Sequence, residues 1–145
     1  MFELPFNHTV TIIIITVIIS FLAFSNQNLM NRLIFWPPAM QKGQYDRFIT
    51  HGFVHADGMH LLFNMFTLFF FGSIIETFYR QYLFDLGFVL FYLGGLIAAI
   101  IPSYLQHKND HRWASFGASG AVSAVLSFPH FTHDSQCVFA SIDHL

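Results

Sequence analysis

Residues 59–75 read MHLLFNMFTLFFFGSII, an apolar run without a single Asp, Glu, Lys or Arg. A transmembrane helix needs about 20 mostly apolar residues, within a range of roughly 17–25, so this run predicts a membrane-spanning helix. His60 and Asn64 lie four positions apart in it and therefore share one face of that helix. Polar side chains within a span are costly and usually face a cavity or a partner. The pair is therefore a candidate functional site.

The composition of the whole chain agrees with a membrane protein. Of its 145 residues, 54% are hydrophobic and 10% are charged, whereas soluble domains carry about 25% charged residues. The formal net charge is -2 and no basic cluster occurs, so we expect no nucleic-acid partner. Cys137 is the single cysteine, which excludes an intramolecular disulfide and argues against a cysteine-based metal site.

Four apolar runs predict an all-α membrane protein, with spans near residues 9–25, 59–76, 82–101 and 114–128. The last span is short, and Pro102 is expected to stop the third. The first run could be a signal peptide, but the segment before it carries Glu3 and no lysine or arginine, so we expect a retained span. Residues 26–58 contain Trp36 and other aromatic residues and are expected to form a loop in the membrane interface.

Ser119 lies between glycines at the start of the fourth run, in FGASGAVSAVL at residues 116–126. Serine among small residues is common where helices pack in a membrane, and Ser119 could have that role. Alternatively, the flanking glycines expose a nucleophilic hydroxyl near a helix N-terminus, which directs N–H groups at bound charge. His60 and Asn64 allow the same two interpretations: a hydrogen bond between helices, or two donors to a developing oxyanion.

Three histidines, His51, His55 and His60, lie before or at the start of the second span, so a metal site must be considered. The segment has no HExxH pattern and no cysteine, and Asp57 is the only close carboxylate. We therefore expect no metal. Hydrogen bonds that hold the loop to the second span explain His51 and His55 more simply.

Together, HGFVHADGMHLLFNMFTLFFFG at 51–72 and GASGAVSA at 117–124 resemble the rhomboid intramembrane serine proteases. The resemblance extends over residues 8–126 and implies a six-helix core, no cofactor and cleavage of the transmembrane helices of other membrane proteins. It also implies that Ser119 is the nucleophile. His60 and Asn64, with the backbone N–H of Ser119, would form the oxyanion hole.

The resemblance also implies an integral, multi-pass protein of the bacterial inner membrane, in contact with the lipid bilayer. Its N-terminus would be cytoplasmic and its first loop would face outward. The distribution of lysine and arginine favours the opposite orientation. The two indications conflict, and we follow the orientation that the resemblance implies.

The sequence departs from the family pattern in two places. The family's first loop often carries a Trp-Arg pair, and the corresponding place here reads Asp46-Arg47. The family's general-base histidine lies on a sixth span, and no fifth or sixth apolar run follows Leu126 in this sequence. We therefore expect a partial rhomboid domain over residues 1–126, a divergent tail over 127–145, and a truncated protein that lacks the general base.

Three histidines in the tail could replace that base only if the tail folded back into the membrane: His130, His133 and His144. A protease that is inactive as this chain is thus one hypothesis. The alternative is a non-catalytic rhomboid-like protein that binds client transmembrane helices. A small transporter would need more polar residues in its spans than Asp85 provides.

Overall fold

A computed structural model describes residues 7–128 of the chain. Within that range the chain is helical and has no β-strand, although an isolated β-bridge joins Phe35 to Ser115. In chain order the elements are α1 (His8–Ser25), α2 (Gln27–Leu33), α3 (Pro37–Gln41), α4 (Arg47–Thr50), a 3-10 turn (His51–Phe53), α5 (Gly58–Thr67), a π-helical turn (Leu68–Gly72), α6 (Ser73–Tyr82), α7 (Gly87–His107) and α8 (Ser119–Phe128). The expected all-α class is confirmed.

Three helices are long and apolar enough to cross a membrane: α1, the continuous helix Gly58–Tyr82, and α7, with 18, 25 and 21 residues. At a rise of 1.5 Å per residue they extend about 27, 37 and 32 Å, compared with a hydrocarbon core of about 30 Å. The fourth apolar helix, α8, is shorter in the described part of the chain. Its crossing of the membrane therefore stays a prediction.

Helix α1 buries three polar side chains and exposes several large apolar ones. Thr9, Thr16 and Ser20 are fully buried, whereas Ile18 and Phe21 expose 54% and 60% of their surface. Lipid accommodates apolar side chains, while polar groups in a membrane need partners within the protein. The isoleucine-rich face of α1 is therefore the face that contacts lipid.

The carboxylate of Glu76 attaches the N-terminus of α1 to α6. It accepts hydrogen bonds from the backbone N–H groups of His8 (2.8 Å) and Thr9 (2.9 Å), from the Thr9 hydroxyl (2.6 Å) and from the Arg80 guanidinium (3.0 Å). A helix N-terminus has free N–H groups and a positive dipole end, so a carboxylate is favoured there. Arg80 also contacts Asp85, which contacts the His8 ring.

The third long helix differs from its predicted bounds. The expectation that Pro102 stops it is wrong, because α7 begins at Gly87 and continues through Pro102 to His107. Proline removes one backbone donor from a helix, but membrane helices tolerate this loss, since neighbouring groups can satisfy the freed carbonyl.

Small residues let α7 and α8 approach closely. A Cβ atom on Gly95 would lie 3.2 Å from the Cα of Ala121, and one on Gly120 would collide with the Cβ of Ala99. The packing of Gly120 against Ala99 places the adjacent Ser119, at the start of α8, beside the second half of α7.

The first loop is an ordered layer over one end of the long helices. Buried Phe35 makes edge-on ring contacts with Phe48, Tyr104 and Trp113. Arg47 is 5% exposed and donates to the backbone carbonyls of Asn31 (2.9 Å) and Ile34 (2.6 Å). The loop is thus held both by aromatic packing and by a buried guanidinium.

Candidate active site

The turn before α8 depends on a glycine. Gly117 has φ +108°, a left-handed backbone conformation that side-chain-bearing residues rarely adopt. Its N–H donates to the carbonyl oxygen of His51 at 2.8 Å. Because the chain turns here, the helix begins at Ser119, and the predicted start of the fourth span at residue 114 is five residues too early.

Ser119 is the first residue of α8, and its side chain is exposed. The Val122 N–H donates to the Ala118 carbonyl at 2.9 Å and closes the first helical turn. The N–H groups of residues 119–121 precede that bond and so have no intrahelical acceptor. The backbone N–H of Ser119 is therefore available beside the Ser119 hydroxyl for a bound oxyanion.

His60 lies directly against the turn that carries Ser119. A Cβ atom on Gly117 would be 2.7 Å from Cε1 and 3.2 Å from Nε2 of the His60 ring. The His60 backbone N–H donates to the Asp57 carboxylate at 2.8 Å, which caps the start of α5. The absence of a side chain at Gly117 thus lets the imidazole approach the serine turn.

Asn64 lies one helical turn after His60 and is 7% exposed. Its amide Nδ2 donates to the His60 backbone carbonyl at 2.9 Å. A side-chain amide has two N–H donors, so this bond leaves one for another acceptor. The structure therefore brings His60 and Asn64 to the same end of α5, as their spacing predicts.

His55 is a site residue whose partners the sequence did not reveal. Its Nδ1 lies 3.1 Å from the Ser20 hydroxyl, and its Nε2 accepts the Ala118 N–H at 3.3 Å. Since Nε2 is an acceptor, the ring proton is on Nδ1 and is donated to Ser20. Ser20 in turn donates to the Phe53 carbonyl at 2.9 Å.

Burial keeps the His55 imidazole neutral. Desolvation, with a smaller contribution from neighbouring His60, lowers the pKa of His55 to about 4. The two rings are in edge-on contact, with centroids 5.1 Å apart. The Ala118 N–H can donate to Nε2 only while the ring is neutral. Burial keeps the ring neutral and therefore favours the hydrogen bond that holds the turn before Ser119.

The histidines before the second span bind partners other than those expected. His51 Nδ1 lies 2.9 Å from the Arg47 carbonyl, and His55 contacts α1 and the Ser119 turn. The expectation that they hold the loop to the second span is therefore wrong. Within residues 7–128 neither ring forms a hydrogen bond with α5, although the His55 ring contacts the His60 ring edge-on.

A small cavity of about 180 Å³ adjoins Ser119 on its α7 side. Its lining residues are His51, Ala99, Ile100, Ser103, Ser115, Gly117, Ser119 and Gly120. His60 and Asn64 are not among them. None of the hydrogen bonds within residues 7–128 joins either side chain to the Ser119 hydroxyl.

The predicted substitutes for a general base, His130, His133 and His144, lie outside the described residues. Within residues 7–128, no histidine nitrogen forms a hydrogen bond with the Ser119 hydroxyl. His51 lines the cavity beside Ser119, and burial lowers the pKa of His51. Its Nδ1 is directed at the Arg47 carbonyl, so Nε2 is the unprotonated nitrogen in the neutral ring.

Comparison with known proteins identifies related chains. A family model described as the Rhomboid domain matches residues 42–137, a range that contains His60, Asn64 and Ser119. RHOMBOID-like protein 12, mitochondrial, of Arabidopsis thaliana is 29% identical over 132 residues, which cover 80% of this chain and 38% of that protein. The family match runs past the predicted domain boundary at residue 126, and that boundary stays a prediction.

Two further relatives are named as proteases. Rhomboid protease GlpG of Haemophilus influenzae is 34% identical over 88 residues, covering 61% of this chain and 42% of that protein. Rhomboid protease GlpG of Enterobacter sp. (strain 638) is 32% identical over 97 residues, covering 64% and 31%. The chain thus spans less than half the length of these curated relatives. With its apolar helices and a family match over most of its length, this multi-pass membrane protein belongs to the rhomboid family.

Proposed function

We propose that this chain carries the nucleophile and the oxyanion site of a rhomboid-type serine endopeptidase, which cleaves transmembrane helices of other membrane proteins. The observation that carries the proposal is the contact between the His60 ring and Gly117, two residues before Ser119. Through this contact, the turn that carries the Ser119 hydroxyl packs against α5, which carries the hydrogen-bond donors. Both lie within a bundle of apolar helices.

In the proposed reaction, the Ser119 hydroxyl attacks the carbonyl carbon of the scissile peptide bond. The carbonyl oxygen becomes an oxyanion, which accepts hydrogen bonds from the Ser119 backbone N–H, the His60 imidazole and the second N–H of the Asn64 amide. Preorganised donors in a site that excludes water are worth about 2.7–4 kcal/mol each in an acyl-transfer transition state. His55 contributes as a positioning residue, since it holds the Ala118 N–H beside the serine.

The serine proton needs an acceptor within hydrogen-bond reach. None of the hydrogen bonds among residues 7–128 supplies one to the Ser119 hydroxyl, which supports the expectation that these residues alone leave the serine unactivated. The proposal therefore assigns the general base to a histidine outside the described residues. We therefore expect residues 7–128 alone to have little proteolytic activity.

A fluorophosphonate probe, which reacts with activated serines, tests the assignment. We expect labelling of the chain, or of a chimaera that adds the C-terminal part of a GlpG relative, to disappear in Ser119→Ala. Ser123→Ala is the matched control, because Ser123 is an exposed serine one turn later on α8. Labelling that survives in Ser119→Ala, or that is lost equally in both variants, would contradict Ser119 as the nucleophile.

The second candidate is a non-catalytic rhomboid-like protein that binds client transmembrane helices. The exposed Ser119 hydroxyl without a histidine partner in residues 7–128 favours it. Photo-crosslinking to a model transmembrane helix separates the two. Crosslinks with wild type and Ser119→Ala alike, with no labelling even in the chimaera, would favour client binding over catalysis.

The membrane in which the protein resides belongs to the same proposal. The GlpG relatives of Haemophilus influenzae and Enterobacter support a bacterial inner membrane, while the Arabidopsis relative is named as mitochondrial. Membrane fractionation of cells of the organism that naturally makes the chain would distinguish the two locations.

A further inference from the structure

A second cavity, of about 380 Å³, opens between the first loop and the segment that joins α7 to α8. Its lining residues are Asn31, Ile34, Trp36, Arg47, Arg112 and Ala114. Two of them are arginines and none is acidic. Among the described residues the cavity thus has positive charge and no counter-ion in its lining.

Arg47 has donors left for a ligand. Of the five N–H groups of a guanidinium, Nε donates to Gln44 at 2.8 Å, and Nη1 donates to the Asn31 and Ile34 carbonyls. Nη2 forms no hydrogen bond with a residue in the range 7–128.

Arg112 provides the second cation on the opposite wall. Its side chain is exposed and forms no ion pair within the described part of the chain. The Asp110 carboxylate accepts the Arg112 backbone N–H at 2.9 Å. Asp46 of the first loop does not line the cavity and is paired with Arg32 at 2.8 Å, although its charge also acts on Arg47.

The cavity lies at the level where the apolar helices end. Trp36 crosses from one wall to the other, because its indole N–H donates to the His111 carbonyl at 3.0 Å. Tryptophan is enriched at the interface between hydrocarbon and water, where the phosphates of lipids lie. Guanidinium groups match phosphate oxygens with paired hydrogen bonds. We propose that this cavity binds the phosphate group of an anionic phospholipid between Arg47 and Arg112.

The proposed phosphate site shares a wall with the candidate active site. Ala114 lines the phosphate cavity, and the next residue, Ser115, lines the cavity beside Ser119. Two backbone hydrogen bonds of 2.8 and 2.9 Å join Phe35 to Ser115 and hold that wall together. A bound phosphate bridges the two loops at this wall and stabilises the fold, whether or not the chain cleaves peptide bonds.

The test measures thermal unfolding of the full chain in nanodiscs of phosphatidylcholine with increasing phosphatidylglycerol. A ligand that binds only the folded state raises the unfolding midpoint in a saturable way. We expect Arg112→Gln to weaken the apparent affinity for phosphatidylglycerol about tenfold, from the loss of a charge-assisted hydrogen bond. Lys108→Gln is the matched control, because it removes the same charge from an exposed residue of the same loop that does not line the cavity. Its affinity should change less than about twofold, as expected of a surface charge.

Three results would overturn the proposal. The first is an unfolding midpoint that does not depend on phosphatidylglycerol. The second is an equal weakening in Arg112→Gln and Lys108→Gln, which would indicate general surface charge. The third is full stabilisation by soluble glycerol phosphate in pure phosphatidylcholine discs, which would identify a free phosphate as the occupant. Ser119→Ala should leave the lipid response unchanged, so the test is independent of the proposed protease.

Discussion

The two ends of the helix bundle both carry polar side chains, but the hydrogen bonds of these side chains differ. At one end the Glu76 carboxylate accepts four hydrogen bonds and attaches α1 to α6. At the other end, within residues 7–128, the Ser119 hydroxyl forms no hydrogen bond, and Asn64 uses one of its two amide donors. A fully satisfied buried network rigidifies a fold, whereas donors with unused capacity can bind a substrate. The first end is structural, and the second is suited to chemistry.

The largest expected effect concerns the structural end. Glu76→Ala removes the acceptor of Thr9, His8 and Arg80 and leaves the buried N–H and hydroxyl of Thr9 unpaired, so we expect it to lower the free energy of unfolding by about 3–5 kcal/mol. Denaturant titration in detergent micelles measures this loss. Asp85→Asn is the control, because Asp85 also contacts Arg80 but is exposed, and its stability should match wild type. Unchanged stability in Glu76→Ala would contradict a structural role for this network.

The second prediction concerns the serine turn. Gly117→Ala places a side chain at φ +108° and a Cβ atom 2.7 Å from His60 Cε1, and we expect a loss of about 2–4 kcal/mol. Gly43→Ala is the matched control, since Gly43 has φ +84° with nothing within 4 Å of its Cβ position. Gly43→Ala should lower the free energy of unfolding by about 1–2 kcal/mol, from backbone strain alone. Equal losses in the two variants would show that His60 does not pack against the turn.

The third prediction concerns pH. The pKa of His55 is lowered to about 4 in the folded protein, while an unfolded histidine titrates near 6.5. Its contribution to stability is therefore complete above pH 6.5 and is lost as the pH falls from about 6.5 towards 4, because the unfolded state then binds more protons. We expect the free energy of unfolding to be about 1–2 kcal/mol lower at pH 5 than at pH 7.

Unfolding titrations at several pH values measure that slope. His55→Gln should flatten it, leaving the smaller contribution of His51, whose pKa is also lowered by burial. His107→Gln should keep the wild-type slope, because His107 stacks on Trp113 at the surface and outside the site. A slope that is the same in His55→Gln and wild type would contradict a neutral, buried His55.

Much of the fold could be predicted because the bilayer imposes it. Apolar length alone predicted spans near 9–25 and 59–76. The first helix is His8–Ser25, and the second, Gly58–Tyr82, continues six residues past the predicted end. Pro102 misled the prediction because the rule for soluble helices ignores the partners available in a membrane. The helix start at Ser119 was also not predictable, since the turn before it combines the positive φ of Gly117 with a hydrogen bond to His51, which is 66 positions away in sequence.

The site was predictable where its residues are close in sequence. The four-residue spacing of His60 and Asn64 places them on one face, as observed. The role of His55 was missed, because Ser20 and Ala118 are 35 and 63 positions away from it. One signal was present in the sequence: Thr9, Thr16 and Ser20 recur at helical spacing in an otherwise apolar helix, which indicates a face that contacts protein.

The bridge between Phe35 and Ser115 has a consequence for biosynthesis. The two residues are 80 positions apart, and translation adds about 5–20 residues per second. After Phe35 is synthesised, about 4–16 seconds pass before Ser115 exists to pair with it. During that interval the first loop has its arginine and aromatic residues but not its backbone partner. The serine turn is therefore assembled late, after the third long helix has been made.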